Sequence, residues 1–385
     1  MLVLVAFHVD VGNSDFRLDV GIVFVTDGRK ETGGTLIMPV TEQIKQIDSA
    51  VAPSLDPHSS PGPAPQLSAF SKYPASWYLL CSSQEIADGP VSMQIVGKDI
   101  VAYRTRSGGV VVMDGRCAHL GADLGNGRVV GDQIECPFHG WRYGPDGQCQ
   151  HIPDCNSVPR RARQAVYPAI ERNGMLFFFN GPAPLFDLPF FPGQDPEDYV
   201  TASPIEIDAE CSWFMVAAHG FDTQHFEIAH CRRLHGPLEI DCPAEFARRT
   251  RYKADVIGDI YSDRILRQFA GIEADTSLTT WGGTVVLVEV EFKRASSQFI
   301  IFLRPVDDNR TLCQVVPYVR KAGRQSGRRL VQPLDMWLRR KFTKAYLVAE
   351  VERLGSPRYN PNSFVESDRE MVEFFHWVAA LPQTA

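Results

Sequence analysis

The sequence predicts an α+β fold: a small antiparallel β domain, then a larger domain in which an antiparallel sheet is covered by helices. Three observations carry this. Short β-prone runs alternate with turn signals between Trp77 and Phe179, longer runs rich in β-branched and aromatic residues succeed one another between 284 and 320, and two stretches with helical spacing close the chain.

Taken in order, residues 1–72 read as an extension of unknown function. Leu18–Val25 and Thr35–Pro39 are apolar stretches fit for strands, and residues 51–66 hold five prolines with little to bury, as a linker does. The first domain spans 73–185. Its strand candidates are Ser92–Val96, Ile100–Arg104, Val110–Met113, Arg128–Val130, Gln133–Cys136 and Met175–Phe179, with turns at Ser107-Gly108-Gly109 and Pro145-Asp146-Gly147. A Pro-rich crossing, 181–196, leads to the second domain, 190–385. There Thr284–Phe292, Gln298–Arg304 and Thr311–Arg320 suggest a meander. Leu334–Leu354 and Val365–Ala379 read as helices, with Trp337, Phe342, Tyr346 and Val351 on the buried stripe.

Of 385 residues, 44% are hydrophobic and 22% charged, the usage of a globular protein with ample core. A net charge of −7 argues against nucleic acid as the main partner. The apolar opening Leu2–Phe7 is too short for a membrane span and lacks a cationic start, so a cytoplasmic, membrane-free protein is expected. Cysteine is odd in number, nine, and residues such as Cys149, Cys155 and Cys231 are expected to be reduced, buried thiols.

The chemistry concentrates in residues 115–144. Cys117-x-His119 is answered after sixteen intervening residues by Cys136-x-x-His139, so two short knuckles each offer one thiolate and one imidazole. Two Cys on one iron and two His on the other is the Rieske form of a [2Fe–2S] centre, in which neutral imidazoles raise the potential. Gly115, Gly121 and Gly140 allow tight turns that bring amide donors toward the cluster sulfurs. Tetrahedral zinc accepts the same four ligands. The run from Cys136 to Trp141, CPFHGW, resembles the second knuckle of Rieske proteins and favours iron and sulfur.

A second constellation is Asp222-x-x-His225-x4-His230. Two His and a carboxylate on one face of an ion suit non-haem Fe(II) with open positions. On a regular α-helix, five residues turn through about 500°, leaving the two imidazoles about 140° apart. A widened turn with i→i+5 bonding is therefore expected between them.

With both motifs in one chain, residues 75–380 resemble a Rieske non-haem iron oxygenase α-subunit. The resemblance implies a Rieske domain followed by a helix-grip-like catalytic domain. It also implies that Cys117, His119, Cys136 and His139 hold the cluster while His225 and His230 bind a mononuclear iron. The third iron ligand in the family is a carboxylate on a C-terminal helix, a place that Asp368 fits, with Glu366, Glu370 and Glu373 as rivals. Asp222 takes the family's bridging position, joining His139 of one subunit to His225 of the next across a trimer interface; a helix cap is the plainer role. Ala218-His219-Gly220-Phe221 departs from the family, which often has Asn before this Asp, and leaves His219 as a substrate contact or proton donor. Ala122 and Phe138 stand where respiratory Rieske proteins carry an extra Cys pair.

The family's cycle implies O2 as co-substrate and electrons from an external NAD(P)H-dependent reductase, with or without a ferredoxin, because no GxGxxG follows a strand here. Phe214, Phe221, Phe226, Trp281, Phe299 and Phe302 could line a cavity for a small apolar or aromatic substrate, or simply pack the core. The run Trp141-Arg142-Tyr143 with Gly147-Gln148-Cys149 and His151-Ile152-Pro153 resembles an arylamine N-oxygenating member, yet hydroxylation and demethylation stay open. The competing classes are a Rieske electron carrier without oxygenase activity and a zinc-stabilised binding module.

Overall fold

The computed structural model describes residues 2–10, 17–25, 62–153, 155, 157–321 and 328–384. The chain divides into two units, Met1–His58 with Ala322–Val331 and Ser59–Lys321 with Gln332–Ala385. In the first unit β1 (Leu2–Asp10) and β2 (Arg17–Val25) pair antiparallel, Leu2 opposite Val25 and Asp10 opposite Arg17. Thr35–Pro39 and residues 51–61 of the Pro-rich stretch lie outside the described residues.

The second unit opens with short strands, as the dense turn signals require: β3 (Tyr73–Pro74), β4 (Trp77–Ser82), β5 (Val91–Ile95), β6 (Lys98–Arg104), β7 (Val110–Asp114), β8 (Arg128–Val130), β9 (Gln133–Glu135), β10 (Arg142–Tyr143), β11 (Cys149–His151), β12 (Val166–Tyr167), β13 (Ala169–Arg172) and β14 (Met175–Phe179). They form three small sheets, ordered β12-β7-β6-β5, β13-β14-β4 and β11-β10-β9-β8. The β6–β7 hairpin turns where Gly108 takes φ +94°, a left-handed value that glycine adopts without penalty. Val101, Tyr103, Met113, Leu124, Ile134 and Tyr143 form a core together with Cys117 and Cys136, which sets both knuckles on a rigid base.

The larger sheet is antiparallel throughout. Its strands are β15 (Tyr199–Thr201), β16 (Ile205–Ala209), β17 (Arg232–Leu234), β18 (Glu239–Ala244), β19 (Ala247–Val256), β20 (Glu273–Trp281), β21 (Val285–Phe292), β22 (Ser296–Asp307) and β23 (Arg310–Arg320). Along the main path they run β15-β23-β22-β21-β20-β19-β17, with β16 also on β23 and β18 also on β19. Side chains alternate across a sheet, and here both faces are covered. Val285 and Leu287 pack with Trp77, Leu79 and Phe177 of the cluster-bearing strands. Val286 and Val288 face the other way, toward Trp213 and Phe214 of α1 (Trp213–Ala218) and Phe375 of α5 (Arg369–Ala380). Burial on both sides explains why β21 begins as an unbroken apolar run. The remaining helices are α2 (His225–Ile228), α3 (Tyr261–Ile265) and α4 (Arg328–Leu354). Finally β24 (Gln383–Thr384) pairs with β3, tying the end of α5 to the first strands of the unit.

Three expectations need correction. Strands β17 to β20 are absent from the sequence reading; the exposed faces of β18 and β19 carry charged pairs such as Asp241–Arg249, 2.6 Å, that hide the alternation. Trp337 is 53% exposed rather than core, with the Lys341 ammonium over its ring. Cys155 is exposed and Cys231 only half-buried, although like the other cysteines both are free.

Candidate metal centres

The two knuckles are built alike. Cys117 N–H donates to the Ala122 carbonyl and its own carbonyl accepts from Gly121 N–H; Cys136 N–H donates to Trp141 and its carbonyl accepts from Gly140 N–H. Gly121 and Gly140 take φ +74° and +66°, the left-handed values that close such turns. The loops thus present Cys117 and Cys136 buried and His119 and His139 at the surface, ring centroids 4.7 Å apart. Trp141 stacks on His119 at 4.5 Å, and the Tyr143 hydroxyl lies 3.1 Å from Cys117 Sγ. Burial pushes the Cys117 thiol up, a shift the Tyr143 hydrogen bond partly offsets. Paired buried thiols beside paired imidazoles fit a [2Fe–2S] group.

At the second constellation, Asp222 starts the turn by accepting from the N–H groups of Gln224 and His225, at 3.1 and 3.4 Å. So the capping role is present. The His225 carbonyl then accepts from Ala229 N–H at 2.7 Å and, five residues on, from His230 N–H at 3.4 Å. This is the widened turn, and it brings the two imidazole centroids to 4.4 Å. Cys231, at φ +53°, ends the helical turn and sends the chain into β17.

His225 Nδ1 lies 2.7 Å from the Asp222 carbonyl oxygen, which can only accept, so the proton sits on Nδ1 and the lone pair on Nε2. That Nε2 is buried with no hydrogen-bond partner. An orphaned imidazole lone pair beside a second imidazole fits a metal ion. The Asp222 carboxylate stands 3.5 Å from His225 Nδ1. Burial raises its pKa, but hydrogen bonds from His225 and from backbone N–H groups outweigh that, and the carboxyl lies below its usual range.

Asp368 sits one side chain away. Its Oδ1 accepts from Gln224 Nε2 at 2.9 Å and its Oδ2 caps Val365 N–H at 2.8 Å. Glu366 instead pairs with Arg369, Glu370 is half-buried and Glu373 is exposed. Among the described residues no three His, Cys, Asp or Glu side chains gather at the distances of a single ion.

His225 and His230 open onto a cavity of about 320 Å³ between the helix-side face of the sheet and α1, α2 and α4. Its walls are apolar, including Val286, Val288, Ile301 and Leu347. Of the aromatic candidates, Phe226 and Phe299 line it. Phe214, Phe221, Trp281 and Phe302 pack in or against the core clusters, since their positions face neighbouring layers. Phe342, Tyr346 and Val351, expected as core, line the cavity, and Val351 also packs against the core cluster. His219 also lines it, its ring 5.4 Å from His225. Burial, reinforced by the His225 and His230 imidazoles, lowers the His219 pKa to about 3, so it meets the cavity as a neutral ring rather than as a ready proton donor. Tyr143 and Tyr346 are contacts that sequence reasoning missed, because hydroxyl partners across 26 and 116 residues leave no local signature.

Residues 76–166 match the Rieske [2Fe-2S] domain family. Aminopyrrolnitrin oxygenase PrnD of Pseudomonas fluorescens is 40% identical over 178 residues, 44% of this chain and 49% of that protein. The oxygenase component of 3-ketosteroid-9-alpha-monooxygenase from Rhodococcus rhodochrous is 28% identical over 182 residues, 47% of this chain and 43% of its own. The chain thus spans about half the length of the curated relatives it matches. In three dimensions it is similar to dicamba monooxygenase bound to dicamba, with TM-score 0.59 and 17% identity over 80% of this chain and 97% of that one. NdmA of Pseudomonas putida CBB5 with caffeine gives TM-score 0.59 and 20% identity over 78% of this chain and 89% of its own. The chain therefore carries a Rieske [2Fe–2S] domain, is similar in sequence over about half its length to oxygenase components, and shares the fold of the monooxygenases named above.

Proposed function

We propose that this protein is the oxygenase component of a Rieske system, using O2 and externally supplied electrons to oxidise a small apolar, aromatic substrate. The observation that carries the reading is the His225–His230 pair, 4.4 Å between rings, with a buried, unpartnered His225 Nε2 at the wall of an apolar cavity. In this reading Cys117, His119, Cys136 and His139 hold the [2Fe–2S] cluster, and His225, His230 and Asp368 hold a mononuclear Fe(II). Asp368, whose Oδ1 now accepts from Gln224 Nε2, would have to give up that bond to serve as the carboxylate ligand. The bound iron supplies the chemistry of dioxygen reduction, drawing on the electron stored at the cluster.

The chain's own residues set the conditions. The Asp222 carbonyl fixes the His225 tautomer, so the lone pair faces the ion. The Asp222 carboxylate, 3.5 Å from His225 Nδ1, would link His225 to His139 of a neighbouring subunit in a homotrimer. The cavity walls exclude water and orient an apolar substrate. Arg232, a cation of the lining, is ion-paired with Asp263 at 3.0 Å, which favours an uncharged substrate over a carboxylate. Arylamine, steroid and N-methyl substrates are the classes suggested by the names of its relatives. A separate NAD(P)H-dependent reductase, with or without a ferredoxin, supplies the electrons.

The test is substrate-dependent oxygen uptake with a surrogate reductase across aromatics, arylamines and sterols, repeated with His225→Ala. Product formation that stops in the variant while the Rieske EPR signal persists is the expected result. Uptake and product unchanged by the substitution would refute the iron assignment, and a reducible cluster with no oxygen uptake on any substrate would favour an electron carrier.

A further inference from the structure

At the cavity wall stands a buried ion pair whose role extends beyond its effect on substrate charge. Arg232 is 8% exposed and Asp263, on α3, 1% exposed, with Arg232 Nη2 3.0 Å from Asp263 Oδ1. Among the described residues neither Asp263 oxygen has an aligned hydrogen-bond donor, so the carboxylate leans on the Arg232 charge. Such pairs are costly to bury and seldom needed for stability itself. The pocket around Asp263 is tight: a Cβ on Gly258 would collide with its Oδ2 and come within 3.0 Å of Cys231 Cβ.

The guanidinium is held where it touches the His230 backbone directly and the His230 ring through Tyr346. Its Nη1 donates to the carbonyls of His230 and Cys231, at 2.9 and 3.1 Å, capping the end of the helical turn where Cys231 takes its left-handed φ. Its plane also lies 5.7 Å from the Tyr346 ring centroid, within cation–π range. The Tyr346 hydroxyl in turn stands 3.4 Å from His230 Nδ1. With Nε2 turned to a metal, Nδ1 carries the proton and the tyrosine oxygen accepts it.

We propose that Arg232, locked by Asp263, is a positioning residue that fixes His230 for the mononuclear metal, through the His230 and Cys231 carbonyls and through Tyr346. This rests on His225 and His230 being metal ligands. The contrasting role is a mere counter-ion that neutralises Asp263 and serves only folding.

The experiment measures iron retention by chelator competition on the full-length holoprotein, together with the melting temperature and the visible circular dichroism of the cluster. Tyr346→Phe removes only the hydroxyl, and the double variant R232M/D263L removes the clamp without leaving a buried lone charge. Both are expected to bind iron about 10–100-fold more weakly, the usual effect of losing a partner of a metal-bound imidazole, with the cluster signal unchanged. If either folded variant keeps wild-type iron affinity, the clamp is overturned. Should the double variant not fold, Tyr346→Phe decides alone. His230→Ala in the same assay separates the two levels: if it keeps its iron, the metal assignment itself fails, whereas loss there with retention in the clamp variants sinks only this inference.

Discussion

The His225 and His230 rings meet edge to face with centroids 4.4 Å apart although the two residues are five positions apart on one helical turn. Their approach depends on the His225 carbonyl serving two N–H groups, those of Ala229 and His230. The left-handed Cys231 that follows is the second condition. A β-branched residue tolerates that φ less well than Cys does, so Cys231→Val should destabilise the fold and weaken iron binding. Thermal melts of the iron-free protein and iron content after dialysis report the two effects separately.

The knuckle glycines offer a matched comparison. Ala at 121 would carry only the backbone penalty of a positive φ, about 1–2 kcal/mol, because its Cβ meets open space; at 140 the Cβ also comes within 3.0 Å of Pro153 Cγ. Gly140→Ala should therefore lose the cluster at a lower temperature than Gly121→Ala, followed through the cluster's visible circular dichroism. Equal losses would show that the Pro153 contact relaxes freely.

Tyr143→Phe deletes the hydroxyl 3.1 Å from Cys117 Sγ. Hydrogen bonds to cluster sulfurs favour the reduced, more negative state, so the potential should fall. A bond worth about 0.5–1.5 kcal/mol corresponds to a drop on the order of tens of millivolts for one electron. Protein-film voltammetry measures it, and an unchanged potential would mean that the hydroxyl is not aimed at the cluster.

Much of the chemistry was legible because it lies in short local patterns. The knuckle ligands and the Asp222-to-His230 run are readable from spacing, and the misfit of five residues to a regular helix announced the widened turn. What stayed hidden is contact between distant segments. Nothing local tells that Phe302 packs against Phe177 while Phe299, three residues earlier, lines the cavity. Arg232 finds Asp263 across 31 positions. Strands β18 and β19 escaped because their exposed residues pair by charge, Arg249 and Arg251 with Asp241, instead of by apolar alternation.

Asp222 gives a pH prediction. Its folded pKa is depressed below the ordinary 3.8, so its contribution to stability is full above that value and is lost as pH falls through the lower folded value. Asp222→Asn removes this contribution. The iron-free variant should be less stable than the parent at neutral pH, and the gap should close below about pH 4. Urea midpoints measured from pH 7 to pH 2 test it, and a gap independent of pH would rule it out.

Substitutions along β21 should divide by face. Leu287→Ala, in the layer shared with Trp77 and Phe177, should cost about 2–5 kcal/mol and leave substrate preference unchanged. Val288→Phe, on the cavity wall, should raise KM for bulky substrates with little change in melting temperature. Melting curves and a substrate panel for both variants decide it.

This division has a wider consequence. Along β21 the odd positions 285 and 287 join the sheet to the cluster-bearing half, and the even positions 286 and 288 shape the chamber. Parity therefore separates what the chamber admits from how the two halves of this unit stay joined, and a lineage can explore new ligands on one set of residues while the other is held constant. A single-residue insertion in that strand would exchange the two sets and damage both tasks at once.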